Sequence, residues 1–414
     1  MGRVPGRRRL LLAGLGAGLG LAGAAAERWG PDGGHPPLLH AMAPEVQPTE
    51  LESVNVRSYG ARGDGSSDDT LAIQAAIDAL GEGQVLLFPR GHYRISDTLR
   101  CRDKSMITIQ AAGRPLISSR GGADFTGKAL LDLSGSVRAY VTGLRLYSLL
   151  DGRWPAAGLV LGRTATSAGH MSFFQNCLIG GRFDVAPVYN AGCEVVVFQN
   201  CHFASATGNP SYWDSATDSF DLTGTPGASH SNSRKFFWGC WFANYSGLSD
   251  ARIVGLHHWQ YELAFRDSYF TFGLGGGYVF DLQGNEPNAT TRDLVIDNCR
   301  VEGGDHANSR LIYVNKTNGL DRLRLSSLVW PIASDYVVEV EQNLSDSDLW
   351  LPSRRGGLVK INGGAVMRLN RVYGVLGGKI WVDEGGRASE NLMLSSTGFP
   401  FAGPGAYTDA NTTL

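Results

Sequence analysis

Between residues 297 and 306 the chain places Asp297, Arg300, Glu302, Asp305 and His306. Two carboxyl groups in different surroundings can act as acid and base in glycosidic hydrolysis, about 5 Å apart for retention of configuration or about 6.5–9.5 Å for inversion. Arg300 or His306 can instead act as the base that takes the proton beside a uronate carboxylate, while a cation or arginine stabilises the resulting carbanion. The first reaction is hydrolysis and the second elimination, and the cluster fits either. Asp305 and His306 also fit plain loop residues, since glycines precede them. Calcium enters only on the elimination reading, as one cation that could stabilise the carbanion, and no other cofactor is expected.

A second set of residues has the types that hold a sugar polymer. His202, Trp241, Tyr269 and Arg300 each follow a cysteine or serine, and Gln199, Trp238, Arg266 and Asp297 lie two residues before it. Flat rings stack on pyranose faces, and forked donors bind hydroxyls or carboxylates. The plain alternative is an ordinary surface with scattered aromatics. A long stretch, Tyr212 to Asp221, interrupts the pattern, and insertions of this kind often loop over a binding face. Asp214 is expected to overhang that face as a substrate contact and Asp218 as a further catalytic candidate. Asp221, Asp281 and Glu339, with Arg252 between the first two, read either as functional acids or as an ion-pair ladder.

What would position these residues is a repeat. Phe-Gln-Asn-Cys occurs at Phe174–Cys177 and again at Phe198–Cys201, and Phe237–Cys240, Phe265–Ser268, Ile296–Cys299 and Leu325–Leu328 align with it. The last positions lie 24, 39, 28, 31 and 29 residues apart, a spacing typical of solenoids. In a parallel β-helix successive turns of chain stack about 4.8 Å apart, so equivalent residues form columns. Phe174, Phe198, Phe237, Phe265, Ile296 and Leu325 would face inward, as would Ile179, Phe203, Phe242, Phe270 and Val301. Asn176, Asn200 and Asn298 would stack at a turn, where asparagine tolerates left-handed backbone.

Cys177, Cys201, Cys240 and Cys299 then fall one per rung, as small apolar residues of a core column do. Zinc would need ligands converging on a point, and no CxxC pair is present, so no metal site is expected. Disulfides within the column are the alternative, although side chains pointing the same way suit the disulfide torsion poorly.

Glycine makes up 55 of 414 residues, which favours many tight turns over long helices. Residues 1–26 combine arginines with a Leu/Ala/Gly run and a small-residue end, which reads as a twin-arginine-like export signal. Losing its four arginines moves the formal charge from −2 to −6, so no nucleic-acid partner is expected. Nor is stable membrane insertion after signal removal, because alternate glycines make a poor spanning helix. Residues 27–50 read as a Pro-rich linker and 51–414 as the folded domain, secreted or periplasmic.

An open solenoid end needs a cap. Gly63 to Leu80 supplies a helix in which Asp68 or Asp69 would be the N-cap and Ile73, Ile77 and Leu80 share an apolar face. Together with Gly63-Asp64-Gly65, Asp68-Asp69-Thr70, Ala72-Ile73-Gln74 and Phe88-Pro89-Arg90-Gly91-His92-Tyr93, this opening resembles that of the pectate-lyase-like superfamily. That group holds rhamnogalacturonases, polysaccharide lyases, epimerases and phage tailspikes. The resemblance implies an all-β, right-handed parallel β-helix with a short N-terminal capping helix, a polysaccharide as partner, and a homotrimer of the kind common among tailspike-like members. It carries over no catalytic residue: the Asn-Thr-Asp, Asp-Asp, Gly-His-Gly and Arg-Ile-Lys blocks of polygalacturonases and the Trp-Ile-Asp-His block of calcium-dependent pectate lyases are absent. The expectation is an enzyme that cleaves glycosidic bonds as hydrolase or lyase, its rival a non-catalytic glycan-binding or cell-surface structural protein.

Overall fold

The computed structural model describes residues 52–413 except 120–124, 149–153, 165, 168, 216–232, 258, 274, 285–288, 304–306, 331–333, 352–355, 374–377, 395–400 and 408–410. The described residues belong to one compact unit, Leu51–Leu414. It is a parallel β-helix, whose strands pair in parallel in three sheets. Each of the middle rungs runs through sheet 1, a tight corner, sheet 2, a loop and sheet 3. Strands Glu194–Gln199, His202–Ser205 and Tyr212–Ser215 form one such rung.

The columns expected from the repeat are the observed registers. Phe174 pairs with Phe198, Phe198 with Phe237, Phe237 with Phe265, Phe265 with Ile296 and Ile296 with Leu325. All are buried, and the rings of Phe174, Phe198, Phe237 and Phe265 stack with centroids 4.8, 5.3 and 4.5 Å apart. Each buried ring contributes about 1.5–3 kcal/mol through lost apolar exposure and about 0.5–1.5 kcal/mol more by stacking. Asn176, Asn200 and Asn298 turn the corner at φ 56°, 52° and 49°, the left-handed geometry that places the next residue inward.

That next residue is the cysteine, and its thiol does the same thing in every rung. Cys177, Cys201, Cys240 and Cys299 donate to the carbonyl two residues back at 3.4, 3.4, 3.5 and 3.3 Å. Ser268 donates equivalently to the Arg266 carbonyl at 2.8 Å, so a hydroxyl can replace a thiol there. All six cysteines are free and buried. Desolvation lifts the Cys101, Cys193 and Cys299 thiols to about 12.

Helix α1, Thr70–Asp78, covers the N-terminal end with Ile73, Ala76 and Ile77 buried, joined by Leu80 just beyond it. The two aspartates do not cap it as expected. Asp69 occupies the N-cap position but turns its carboxylate to the Arg62 and Gly63 amides at 2.6 and 3.0 Å. Asp68 accepts from the Thr70 amide at 3.0 Å and from the Ser96 hydroxyl at 2.6 Å. Their role is to brace the loop against the first rung.

Past Arg300–Glu302, the last strand of sheet 2, the solenoid continues in sheets 1 and 3 only. Its late strands include Gly356–Ile361, Val366–Arg368 and Gly378–Val382. Here the inward position is taken by Asn370 and Asn391, buried amides that bond from rung to rung at 3.0 Å.

Candidate functional site

The sequence-predicted aromatic strip exists as a column on sheet 2. His202, Trp241, Tyr269 and Arg300 are successive register partners. His202 and Trp241 stack with centroids 4.5 Å apart, and the indole nitrogen donates to Thr271 Oγ1 at 2.9 Å. Trp241 and Tyr269 are 43% and 49% exposed, so their rings are open to a ligand. Around the corner on sheet 1, Gln199, Trp238, Arg266 and Asp297 form the parallel column.

The acid–base candidates beside this strip are not brought together. Asp297 lies on sheet 1 and accepts from the Ser326 hydroxyl at 2.6 Å, while Glu302 lies on sheet 2 and pairs with Arg300 at 2.7 Å. Both members of that pair are half exposed, so water screens their attraction. Asp305, His306, Asp218 and Asp221 fall outside the described residues.

Asp214 does not overhang a face. It points into the lumen and is fully buried, as are Lys235, Tyr212, Asn190 and Gln260 around it. Tyr212 donates to Asp214 Oδ2 at 2.7 Å, and Lys235 Nζ approaches the same oxygen at 3.7 Å. Burial pulls the Lys235 amine downward, and the Asp214 charge opposes that. The signal was available in the alternation: Asp214 shares parity with the lumen residue Tyr212, and Lys235 sits in the core column of Val196 and Leu263.

The outer face of sheet 3 gathers a different set. Tyr189, Trp213, Gly255, Asp281, Tyr313, Glu339 and Lys360 are register partners in one column. Tyr278 stacks on Tyr313 with centroids 4.7 Å apart, and Trp213 meets His257 at 5.4 Å. Asp281 pairs with Arg252 at 2.8 Å and accepts from Gln283 at 2.6 Å, yet its other oxygen, Oδ1, is buried with no hydrogen-bond partner. Desolvation raises the Asp281 carboxyl above its ordinary range, outweighing the opposing pull of Arg252, Gln283 and His257.

Two rungs further along, Glu339 has the opposite environment. Arg310 lies at 2.8 Å, Asn362 at 3.1 Å and Lys360 at 3.3 Å, and together they hold its carboxyl below the ordinary range although burial pushes upward. Tyr313 stands between the two acids in the column, and burial raises its phenol. The ladder reading of Asp281 and Glu339 therefore holds for Glu339, which is ion-paired on both sides, and only partly for Asp281. Sequence reasoning did not single out Trp213, Gly255, His257, Tyr278 or Tyr313 as parts of this face. Among the described residues no three His, Cys, Asp or Glu side chains converge as a metal site requires.

A family model matches the start of this domain. Residues 53–149, the cap and first rungs, match the one described as rhamnogalacturonase A/epimerase, pectate lyase-like. Over 67 residues the chain is 62% identical to mannuronan C5-epimerase AlgE3 of Azotobacter vinelandii, which is 14% of this chain and 4% of that protein. Over 56 residues it is 52% identical to alginate lyase 7 of the same organism, 13% of this chain and 6% of the relative. The chain thus spans less than a tenth of the curated relatives it matches. Among solved structures, the alginate lyase from Paenibacillus sp. str. FPU-7 is 13% identical with a TM-score of 0.46, covering 81% of this chain and 98% of that one. Tailspike protein 3 of bacteriophage CBA120 is 12% identical with a TM-score of 0.49, covering 87% and 61%. Neither overlap is close enough to carry an argument about function.

Proposed function

We propose that this chain cleaves an acidic polysaccharide on the outer face of sheet 3, with Asp281 as proton donor. The observation that carries the reading is the opposed pair in one column: Asp281, buried with one oxygen lacking a hydrogen-bond partner so that desolvation pushes its carboxyl up, and Glu339, whose carboxyl Asn362, Arg310 and Lys360 hold down. Carboxyl groups whose surroundings push their pKa values apart are suited to acid and base roles. Two rungs separate them, about 9.6 Å of backbone at the usual strand spacing, near the upper end of the about 6.5–9.5 Å that leaves room for a water in inverting hydrolysis. Asp281 then gives its proton to the glycosidic oxygen as the bond to the anomeric carbon breaks. Glu339 takes a proton from the water whose hydroxyl completes the product. Tyr278 and Tyr313, stacked beside the acids, supply a ring surface and hydroxyls for the sugar.

The polymer is acidic on this reading because Arg252 reaches the same site with its side chain 40% exposed. The names of the matched relatives, a mannuronan epimerase and an alginate lyase, also denote uronate polymers and support that choice. A second reading, elimination, draws on the same arginine: Arg252 would neutralise the uronate carboxylate, Glu339 would take the proton from the carbon beside it, and Asp281 would protonate the leaving oxygen as the double bond forms and the glycosidic bond breaks. Calcium would join only on that path. Export to the periplasm or beyond, and assembly as a homotrimer, are parts of the proposal that fit a polymer substrate.

The test is incubation of the chain with uronate-containing and neutral polysaccharides, following reducing ends and ultraviolet absorbance together, with and without calcium. New reducing ends without absorbance, and products of inverted configuration, fit the hydrolytic pair. Absorbance from an unsaturated uronate replaces it with elimination. Full turnover by Asp281→Asn would remove sheet 3 as the site, and tight binding without turnover would favour a glycan-binding protein.

A further inference from the structure

The buried carboxyl of Asp281 has a neighbour position that no side chain fills from its own rung. Gly255 is the register partner of Asp281 on the preceding strand, and Trp213 is the partner of Gly255 one strand earlier. A Cβ added at Gly255 would overlap Cε3 of the Trp213 ring and lie 2.5 Å from Cζ3. The Trp213 indole therefore lies across the Gly255 backbone, in the space where the column would otherwise project a side chain next to Asp281. Successive strands are about 4.8 Å apart, so the ring covers the backbone one strand spacing from Asp281. Gly255 has an ordinary negative φ, so the glycine is explained by space and not by backbone geometry.

We propose that Trp213 is a positioning residue that shields the buried Asp281 carboxyl from water, and that Gly255 is the recess admitting its ring. The physical reason is desolvation: an indole replaces the water that would stabilise the carboxylate, and a carboxylic acid against a hydrophobic ring keeps its proton to higher pH. The groups facing Asp281 from the packed strands are Arg252 and His257 on one side, Tyr278 and Gln283 on its own strand, and Tyr313 on the next. Arg252, His257 and Gln283 all favour the charged form. These polar and charged neighbours thus pull the carboxyl down, and the ring laid over Gly255 from two rungs back adds to the burial that pushes it up.

This inference rests on the reading of Asp281 as a proton donor, and its test separates the two. The Asp281 carboxyl is titrated by carbon-13 NMR in the full chain labelled at aspartate, the resonance being assigned by its loss in Asp281→Asn. In Trp213→Ala, and in Gly255→Ala, which displaces the ring, the Asp281 pKa is expected to fall toward the ordinary aspartate range. Trp213→Phe, which keeps an aromatic wall, is expected to retain most of the elevation, and Trp213→Leu serves if the alanine variant does not fold. The high-pH limb of kcat/KM on the cleaved polysaccharide is expected to move down by the same amount. An unchanged Asp281 pKa in Gly255→Ala and in Trp213→Leu or Trp213→Ala overturns the role of the ring. A lowered pKa with an unmoved rate profile supports the ring and overturns Asp281 as the catalytic acid.

Discussion

Sheets 2 and 3 both present acids, arginines and aromatic rings in register, yet they differ in what water can reach. On sheet 2, Arg300 and Glu302 satisfy each other in the open, and the rings of Trp241 and Tyr269 stand half exposed. On sheet 3 the same residue types are packed: Asp281 is buried with an oxygen left unpaired, and Glu339 is enclosed by Arg310 and Lys360. Residue type alone does not make an acid or a base. Burial, with one partner too few or one cation too many, is what pushes two carboxyl groups in opposite directions.

The comparison breaks most decisively on activity. Asp281→Asn is expected to lower kcat on the cleaved polysaccharide by about 10²–10⁴-fold, the usual worth of a positioned acid. Asp297→Asn, on the exposed side, is expected to leave kcat within about threefold, because that carboxylate is solvated and hydrogen-bonded to Ser326. Loss of turnover in the second variant and not the first would reverse the assignment of the two faces.

A next test concerns the lumen between the faces. Lys235→Met should cost about 3–5 kcal/mol in urea denaturation by stranding the buried Asp214 charge, while the double variant with Asp214→Leu should recover most of that loss. If the single and double variants unfold alike, the pair is not a coupled unit. Smaller still is Trp241→Ala, which removes an exposed ring stacked on His202. Affinity for long chains is expected to fall by about 0.5–1.5 kcal/mol, with kcat on short oligosaccharides unchanged, as titration calorimetry and single-turnover rates would read. The least effect belongs to Arg300→Ala, where a screened surface pair predicts a stability change under about 1 kcal/mol.

The pH dependence sharpens the same contrast. Folding raises the Asp281 pKa, so between the unfolded and folded values the native state keeps a proton that the unfolded chain has released. Stability from this group is whole below the unfolded value and declines as pH rises through that window. Denaturation midpoints measured across the window should fall less steeply in Asp281→Asn than in the parent. Equal slopes would mean that Asp281 is not held protonated.

Much of the fold was legible because one rung's chemistry repeats. A phenylalanine facing in, an asparagine at the left-handed corner and a thiol facing in occur intact in two rungs, and stand-ins such as Gly239, Asp267, Ser268 and Ile296 extend the alignment to six. The sheet 2 strip was legible for the same reason, since it lies one residue from the marker. Sheet 3 is reached only after loops of varying length, so its register cannot be counted from the cysteines. Asp281 and Glu339 could be noticed, but not that Tyr313 stands between them. Gly255 leaves no signal at all, because its importance is the absence of a side chain under a ring two sequence segments away. Asp214 was misplaced by its company: it stands at the edge of a long insertion, and only the parity of Tyr212 and the lysine in the Val196 column mark it as internal.

The thiol column also makes the molecule its own recorder. A sulfur that donates to a carbonyl of its own rung, and in Cys299 is pushed up to about 12, offers almost no thiolate to an alkylating reagent while that rung is closed. Labelling at Cys177, Cys201, Cys240 or Cys299 would therefore time the opening of one particular turn of the solenoid. The order in which the four become modified would tell whether the helix unravels from an end or comes apart all at once.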